Sequence, residues 1–268
     1  MRGVSGRGRS MHKFTEVDCI MIRLAKFHSE FGKIEVLRAK NTGSVIYRQG
    51  GFYQSESDIN GVSVAPYIHA IFGLLAQTQA RDVLMIGCGG GSLGTMLDKT
   101  GVRVTIVDIN PTAFFIARKY FGLPRHIECY VADGLNFLHA VRHRYDAIIL
   151  DAYTGGDIPD HLCTETFFEL AHARLDETNG CLISNIWAHN DRDQFPKEMA
   201  EKLSNIWTDV RLLDTPGLWD RNTLLVAGEV EHFNAPTLLM PPTDVADDVA
   251  RDLERFRFIP WRRSEQLV

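Results

Sequence analysis

From residue 83 onward the chain alternates short apolar runs with segments of helical periodicity, and that alternation most narrows what it can fold into. The runs are Val83–Ile86, Arg103–Asp108, Glu128–Val131, Ala147–Asp151 and Cys181–Trp187, nearly continuous and with little two-residue alternation. Strands covered on both faces read this way, and they occur in parallel sheets. Between them the pattern predicts helices over Ser92–Lys99, Pro111–Phe121, Gly134–His143 and Thr164–Leu175, with Asn110 capping Pro111 in its first turn. A helix over Gln194–Asn205 then precedes strands near Val210–Leu213 and Thr223–Ala227, joined by Pro216-Gly217. The expected fold is α/β: a doubly wound, mostly parallel, seven-stranded sheet ending in a hairpin.

A length of 268 residues, at about 150 per domain, suits one large domain with a small accessory unit. Residues 14–66 read as that unit, small and β-rich. Lys33–Arg38 and Ser44–Arg48 flank the turn Asn41-Thr42-Gly43, and Gln49-Gly50-Gly51 interrupts the second run before Phe52-Tyr53-Gln54. The main domain is expected over residues 67–232, opening on a helix at Tyr67–Leu75. Residues 233–268 read as a linker marked by Pro236, Pro241 and Pro242, then a short acidic helix near Asp244–Arg255. Residues 1–13 carry Arg2, Arg7, Arg9 and Lys13 without an acid, which reads as a disordered tail rather than a nucleic-acid arm.

The net charge of −5, from 29 basic and 34 acidic residues, supplies no positive field for nucleic acid or anionic lipid. Neither partner is expected. No apolar stretch of about 18 residues occurs, so no membrane span is expected either. Cys19, Cys88, Cys129, Cys163 and Cys181 are scattered, odd in number and free of C-x-x-C spacing. Reduced thiols in a cytoplasmic protein, and no metal, are the expectation.

The strand Val83–Ile86 runs into Gly87-Cys88-Gly89-Gly90-Gly91-Ser92. Such a loop lets a ligand lie against bare backbone, while the following helix offers unpaired N–H groups. The next strand ends in Asp108, seventeen residues past Gly91, where a carboxylate can accept both hydrogens of a ribose diol. The third ends in Asp133-Gly134, where a carboxylate can accept from an adenine amine. Three such strand ends in succession predict a nucleoside site built from Gly87, Gly89, Gly90, Gly91, Asp108, Ile109, Asp133 and Gly134. A glycine loop with a ribose acid and an adenine acid favours an S-adenosyl ligand over a pyrophosphate dinucleotide. The blander readings are Asp108 as a helix cap and Asp133 as a turn residue.

The fourth strand, Tyr145–Leu150, ends in Asp151, which should face the reacting end of that nucleoside. An alkylamine with a pKa near ~10 arrives protonated, and a carboxylate there can orient it or take its proton. Asp151 is therefore the candidate catalytic residue, with loop capping as the alternative. Tyr153, Thr154 and Asp157 of the following loop complete the candidate amine side.

From about Ile34 to Ala227 the chain resembles the polyamine aminopropyltransferases, typified by spermidine synthase. The resemblance is carried by the β-rich unit with Gln54, then Tyr67, Val83–Gly91, Val107-Asp108-Ile109-Asn110-Pro111, Ala132–Leu138, Tyr145–Asp151 and Leu162–Phe168. It implies an S-adenosylmethionine-dependent methyltransferase-like fold. It also implies transfer of the aminopropyl group of decarboxylated S-adenosylmethionine to a small amine, with release of methylthioadenosine. By the same resemblance Asp108 holds the ribose, Asp133 the adenine, Gln54 the methionine-derived side of the donor and Asp151 the attacking amine. Tyr67 lines the amine channel, and the β-rich unit mediates a homodimer. Two positions depart from the family: Gly90 stands where its glycine loop carries an Asp, and Thr154 replaces the second Asp of its D-x-x-D. Both remove negative charge from where propylamine ammonium groups would sit, and an ammonium buried without a partner is costly. A loop with Gly90 could instead receive the carboxylate of intact S-adenosylmethionine on backbone N–H groups. Methyl or aminocarboxypropyl transfer therefore stays open, as does nucleoside binding without turnover.

Other side chains read more plainly. His161 and His69 are first ordinary histidines and only second site residues. Trp187 packs the core before it walls an acceptor pocket, and Cys88 is a small apolar filler. Phe114, Phe115 and Tyr120 are expected in the core.

Overall fold

The computed structural model describes residues 21–154 and 156–259. The tail expected over residues 1–13, together with Cys19 and Gly155, lies outside them. Four antiparallel strands form the first sheet in simple sequence order: β1 (Met21–Ser29), β2 (Gly32–Ala39), β3 (Val45–Gln49) and β4 (Phe52–Ser57). Gly50 and Gly51, at φ 58° and 95°, make the two-residue link between β3 and β4. Two consecutive positive φ values match the twist of a tight hairpin, and glycine reaches them without strain.

The second sheet has the order β12-β10-β11-β9-β8-β5-β6-β7. Its parallel part comprises β5 (Asp82–Ile86), β6 (Arg103–Asp108), β7 (Glu128–Val131), β8 (Ala147–Leu150) and β9 (Cys181–Ala188). An antiparallel hairpin of β10 (Val210–Asp214) and β11 (Arg221–Ala227) follows, with β12 (Arg257–Ile259) pairing on β10. Seven strands stand in the expected arrangement, and β12 adds an eighth at the edge. From β5 the chain runs outward through β6 and β7, then returns to β8 and proceeds the other way. The order therefore reverses between β5 and β8, the crevice where open α/β sheets hold ligands.

Successive residues of β5 enter different cores. Val83 and Met85 join the layer formed with α1 (Pro66–Thr78) and α2 (Ser92–Lys99). Leu84 and Ile86 join the opposite layer, with α4 (Gly134–Ala140), α5 (Glu165–Ala173) and α6 (Phe195–Ser204). Each such side chain contributes about 1.5–3 kcal/mol of burial, and covering both faces explains the missing alternation. Between β6 and β7, α3 (Pro111–Tyr120) presents Ile116 to the first sheet. Ile116 and Phe121 join Ile34, Val36, Val45 and Tyr47 in a third core. Near the C-terminus α7 (Ala246–Leu253) packs on α1, and the Arg211 guanidinium lies 3.5 Å from the centroid of Phe258 on β12.

Three expectations need correction. β7 is not covered on both faces: it is the sheet edge, with Tyr130 and Val131 exposed by 45% and 57%. Phe115 is not core: it is 49% exposed and meets Phe27 of β1 edge-on, centroids 5.8 Å apart. The helix expected to reach His143 stops at Ala140, because Val141 is extended (φ −73°, ψ 141°) and His143 turns to Asp82 at 2.6 Å. Among the described residues no helix is long and apolar enough to cross a membrane.

Helix starts follow the caps. Asn110 accepts from the Thr112 N–H, Asp133 from Asn136 and Thr164 from Phe167. Thr164→Ala is expected to cost about 1 kcal/mol. In a chain of this size that lowers Tm by roughly 2–4 °C, measured by scanning calorimetry.

Candidate active site

β5 runs into Gly87, whose φ of +104° is followed by +48° at Gly89 and +70° at Gly91. The ends of β5 and β8 meet backbone to backbone here. The Asp151 N–H donates to the Ile86 carbonyl at 2.9 Å, and an ideal Cβ on Gly87 would fall onto the Asp151 carbonyl. Gly87 thus makes the strand contact possible, since only a residue without a Cβ fits there. Asp108, at the tip of β6, lies directly against the loop. Its Oδ2 accepts from the Cys88 N–H at 2.8 Å and its Oδ1 from Asn110 at 2.7 Å. Burial pushes this carboxyl above its ordinary value, against the pull of those two donors.

Asp133 and Gly134 sit beside the same strand end, since a Cβ on Gly134 would come 2.5 Å from Ile86 Cγ2. The Asp133 carboxylate is occupied at both oxygens. Oδ1 caps α4 through the Asn136 N–H at 3.0 Å, and Oδ2 lies 2.6 Å from His161 Nε2. His161 comes from a 3-10 turn, Asp160–Cys163, placed ahead of α5. Sequence reading preferred an ordinary loop histidine, whereas the fold joins it to a predicted site acid. Ile109, next to Asp108, is exposed.

The first sheet closes over the glycine loop through β4. Ser55 Oγ accepts from the Gly90 N–H at 2.8 Å and donates to the Gln54 carbonyl at 2.7 Å. The Gln54 carbonyl therefore stands beside Gly89, 3.7 Å from its ideal Cβ. Gly90 has no room for any side chain: its Cβ would lie 2.6 Å from the Phe121 ring. Its N–H, suggested above as a carboxylate donor, is already engaged by Ser55.

Asp151 emerges from β8 into a network of neutral donors. Tyr67, in the first turn of α1, donates from its hydroxyl to Oδ2 at 3.3 Å, and Asn185 Nδ2 donates to Oδ1 at 2.7 Å. Asn222 Nδ2 in turn donates to Asn185 Oδ1 at 2.9 Å, and the Tyr153 hydroxyl donates to the Asn185 carbonyl at 2.8 Å. Burial raises the Asp151 carboxyl above the ordinary aspartate value and outweighs the two donors. Burial first, then the Asp151 charge, raises the Tyr67 and Tyr153 phenols well above theirs. Asp151 is a carboxylate inside a largely uncharged shell, poised to accept a proton.

Thr154 and Asp157 are not part of that shell. Both are exposed and close a small turn on each other, Thr154 N–H to the Asp157 carbonyl at 2.8 Å. His69 is buried, with Nε2 donating to the Ser63 carbonyl at 2.6 Å, and burial lowers its pKa. Cys88 is buried and its thiol is pushed well above the usual range, which fits a filler and not a nucleophile. Trp187 is half-buried near the end of β9. Asn185, Asn222 and Ser55 were not foreseen. For Asn185 the signal was present, since a polar residue inside the apolar run Cys181–Trp187 is the informative exception.

Residues 83–173 match the family model described as a methyltransferase domain. Over 171 residues the chain is 33% identical to a polyamine aminopropyltransferase of Chromobacterium violaceum, which covers 61% of this chain and 63% of that relative. Over that span the chain is similar to the polyamine aminopropyltransferases. It thus spans a little under two thirds of the length of this relative. A probable spermidine synthase from Corynebacterium glutamicum superimposes with a TM-score of 0.73 at 18% identity, over 87% of this chain and 89% of that one. A spermidine synthase in complex with the transition-state analogue AdoDATO does so at 0.64 and 17% identity, over 89% and 84%. At such identities the two structures speak for a shared fold alone: a mostly parallel α/β sheet preceded by a small antiparallel one.

Proposed function

We propose that the chain is an aminopropyltransferase, moving the aminopropyl group of decarboxylated S-adenosylmethionine to a small amine and releasing methylthioadenosine. The observation that carries this reading is Asp151: a half-buried carboxylate at the β5–β8 crevice, held among neutral donors next to a glycine loop tied to Asp108. In the reaction the amine lone pair forms a C–N bond to the carbon beside the sulfonium. The C–S bond breaks, its electron pair stays on sulfur, and the nitrogen sheds a proton to Asp151. Positive charge migrates from sulfur to nitrogen, towards that carboxylate. Catalysis is then mainly positioning with one proton transfer. Asp108 is assigned to the ribose, Asp133 to the adenine, Gln54 to the donor tail, and Tyr67 with Tyr153 to the amine channel.

Cytoplasmic placement and a homodimer are finer parts of the same reading. Cys88, Cys129, Cys163 and Cys181 are free thiols, and the outer strand β1 of the first sheet leaves Met21 and Ile22 exposed.

The test compares decarboxylated with intact donor by titration calorimetry, then incubates each with a panel of amines. Preference for the decarboxylated donor and release of methylthioadenosine are expected. Adenosylhomocysteine as the product would replace the reading with methyl transfer, and tight binding without product would leave a nucleoside-binding protein. Asp108→Ala is expected to weaken donor binding about tenfold or more, because a hydrogen bond to a charged group contributes about 1.5–3 kcal/mol.

A further inference from the structure

Asn185 is 1% exposed and lies on the α1-facing side of β9, in line with Ile183. Across the ladder it faces Leu224 of β11, while Asn222 faces Trp187. Asn222 is thus its diagonal neighbour on the same side of the sheet. A buried amide among aliphatic side chains is unfavourable unless its donor and acceptor ends are both used. Both are used here: Nδ2 donates to Asp151 Oδ1 and Oδ1 accepts from Asn222.

A primary amide has one donor end and one acceptor end, so this chain of bonds has a direction. With the Asn222 NH2 against its oxygen, Asn185 must turn its own NH2 to Asp151. That orientation matches an ionised carboxylate and offers a protonated one no acceptor. The other oxygen, Oδ2, is met by the Tyr67 hydroxyl at 3.3 Å. This is beyond the roughly 2.5–3.0 Å of a firm O–H···O bond.

We propose that Asn222 is a positioning residue that acts through Asn185, holding Asp151 Oδ1 in a fixed donor contact and leaving Oδ2 to take the proton from the attacking amine. The proposal rests on the aminopropyl-transfer reading of the site. As the C–N bond forms and the C–S pair departs on sulfur, the proton shed by nitrogen goes to Oδ2. The titratable groups that face Asp151 are Tyr67 from α1 and Tyr153 from its own loop. Both stay neutral through the working pH range, and β9 and β11 contribute the two amides. The other carboxyl pushed up by burial, Asp108, is held by the Cys88 and Asn110 N–H groups and not by this amide chain, so a shift of the acid limb in the Asn222 variants reports Asp151.

Asn222→Asp reverses the direction of the chain. Its carboxylate accepts from the Asn185 NH2, which turns the Asn185 oxygen to Asp151 and favours the protonated acid. The acid limb of kcat/KM is expected to rise by about one pH unit, with kcat near that limb falling about tenfold, since one unit of pKa is a factor of ten. The donor KM is expected to change less than about twofold, as a group remote from the nucleoside leaves ground-state binding in place. Asn222→Leu removes the donor without reversing the chain and gives a smaller shift of the same sign; it carries the test if Asn222→Asp does not fold. Independently of turnover, the 13C carboxyl resonance that vanishes in Asp151→Asn is titrated in the ligand-free wild type and variants. A midpoint unmoved by either Asn222 variant overturns the proposal, whatever the rates do. A midpoint that moves, in a protein that makes methylthioadenosine from no donor and amine, upholds the amide chain and overturns the reaction assigned to it.

Discussion

Asp151→Asn is expected to lower kcat/KM by about 10²- to 10⁴-fold, the range a positioned general base contributes. The substitution keeps the size of the side chain and its place between Tyr67 and Asn185, so the loss reports proton acceptance rather than packing. The pH profile separates the two groups that must be deprotonated. In the wild type the rate falls as pH drops through the Asp151 pKa, which burial places above the ordinary 3.8. A second rise follows towards the amine pKa near ~10. In Asp151→Asn only the amine limb remains. Stability is expected to move the other way. A carboxyl whose folded pKa exceeds its unfolded value costs the native state stability as pH rises from the unfolded value through the folded one. At pH 7 the neutral amide removes that cost, so Tm holds or increases while methylthioadenosine release collapses. Wild-type turnover in this variant would remove Asp151 from the chemistry.

The strand ends that build the site were legible because each is a local pattern: an apolar run followed by glycines or an acid. Asp108 and Asp151 could be placed that way, and both stand where the ends of β6 and β8 put them. What could not be read was pairing across the fold. The Asp133–His161 contact joins residues 28 positions apart, and the Asn185–Asn222 contact joins residues 37 apart through the register of β9 and β11. The exposure of β7 is equally non-local, because its apolar run is the same at an edge as in the middle of a sheet. Three residues of β12 carry no periodicity to detect. The end of α4 shows a local pattern overruled, since residues with helical periodicity were drawn off by the contact of His143 with Asp82. Gly90 was read as space for a ligand, yet the ring of Phe121 stands where its side chain would be.

Gly87→Ala is expected to be the most damaging single methyl in the described chain, for two separable reasons. At φ +104° an L side chain is strained, at about 1–3 kcal/mol. The added Cβ would also land on the Asp151 carbonyl oxygen, 2.6 Å from its carbon and 3.0 Å from Ala152 Cα. These neighbours are backbone in a paired strand end and cannot rotate away, so the overlap costs at least a further ~1–3 kcal/mol. Together they reach at least about 2–6 kcal/mol, comparable with the lower end of a typical stability of about 5–15 kcal/mol. Gly50→Ala isolates the first contribution, because Gly50 has a positive φ of +58° and nothing within 4 Å of its ideal Cβ. Urea denaturation is expected to show a loss of about 1–2 kcal/mol for Gly50→Ala, the ordinary left-handed penalty, and at least about 3 kcal/mol, or failure to fold, for Gly87→Ala. Equal midpoints for the two variants would mean that β5 and β8 do not meet backbone to backbone at this point. Any Gly87→Ala protein that does fold must have moved the end of β8, and Asp151 moves with it. Since about 1 Å of misplacement can cost about 10²-fold in rate, turnover is expected to fall even where the fold survives.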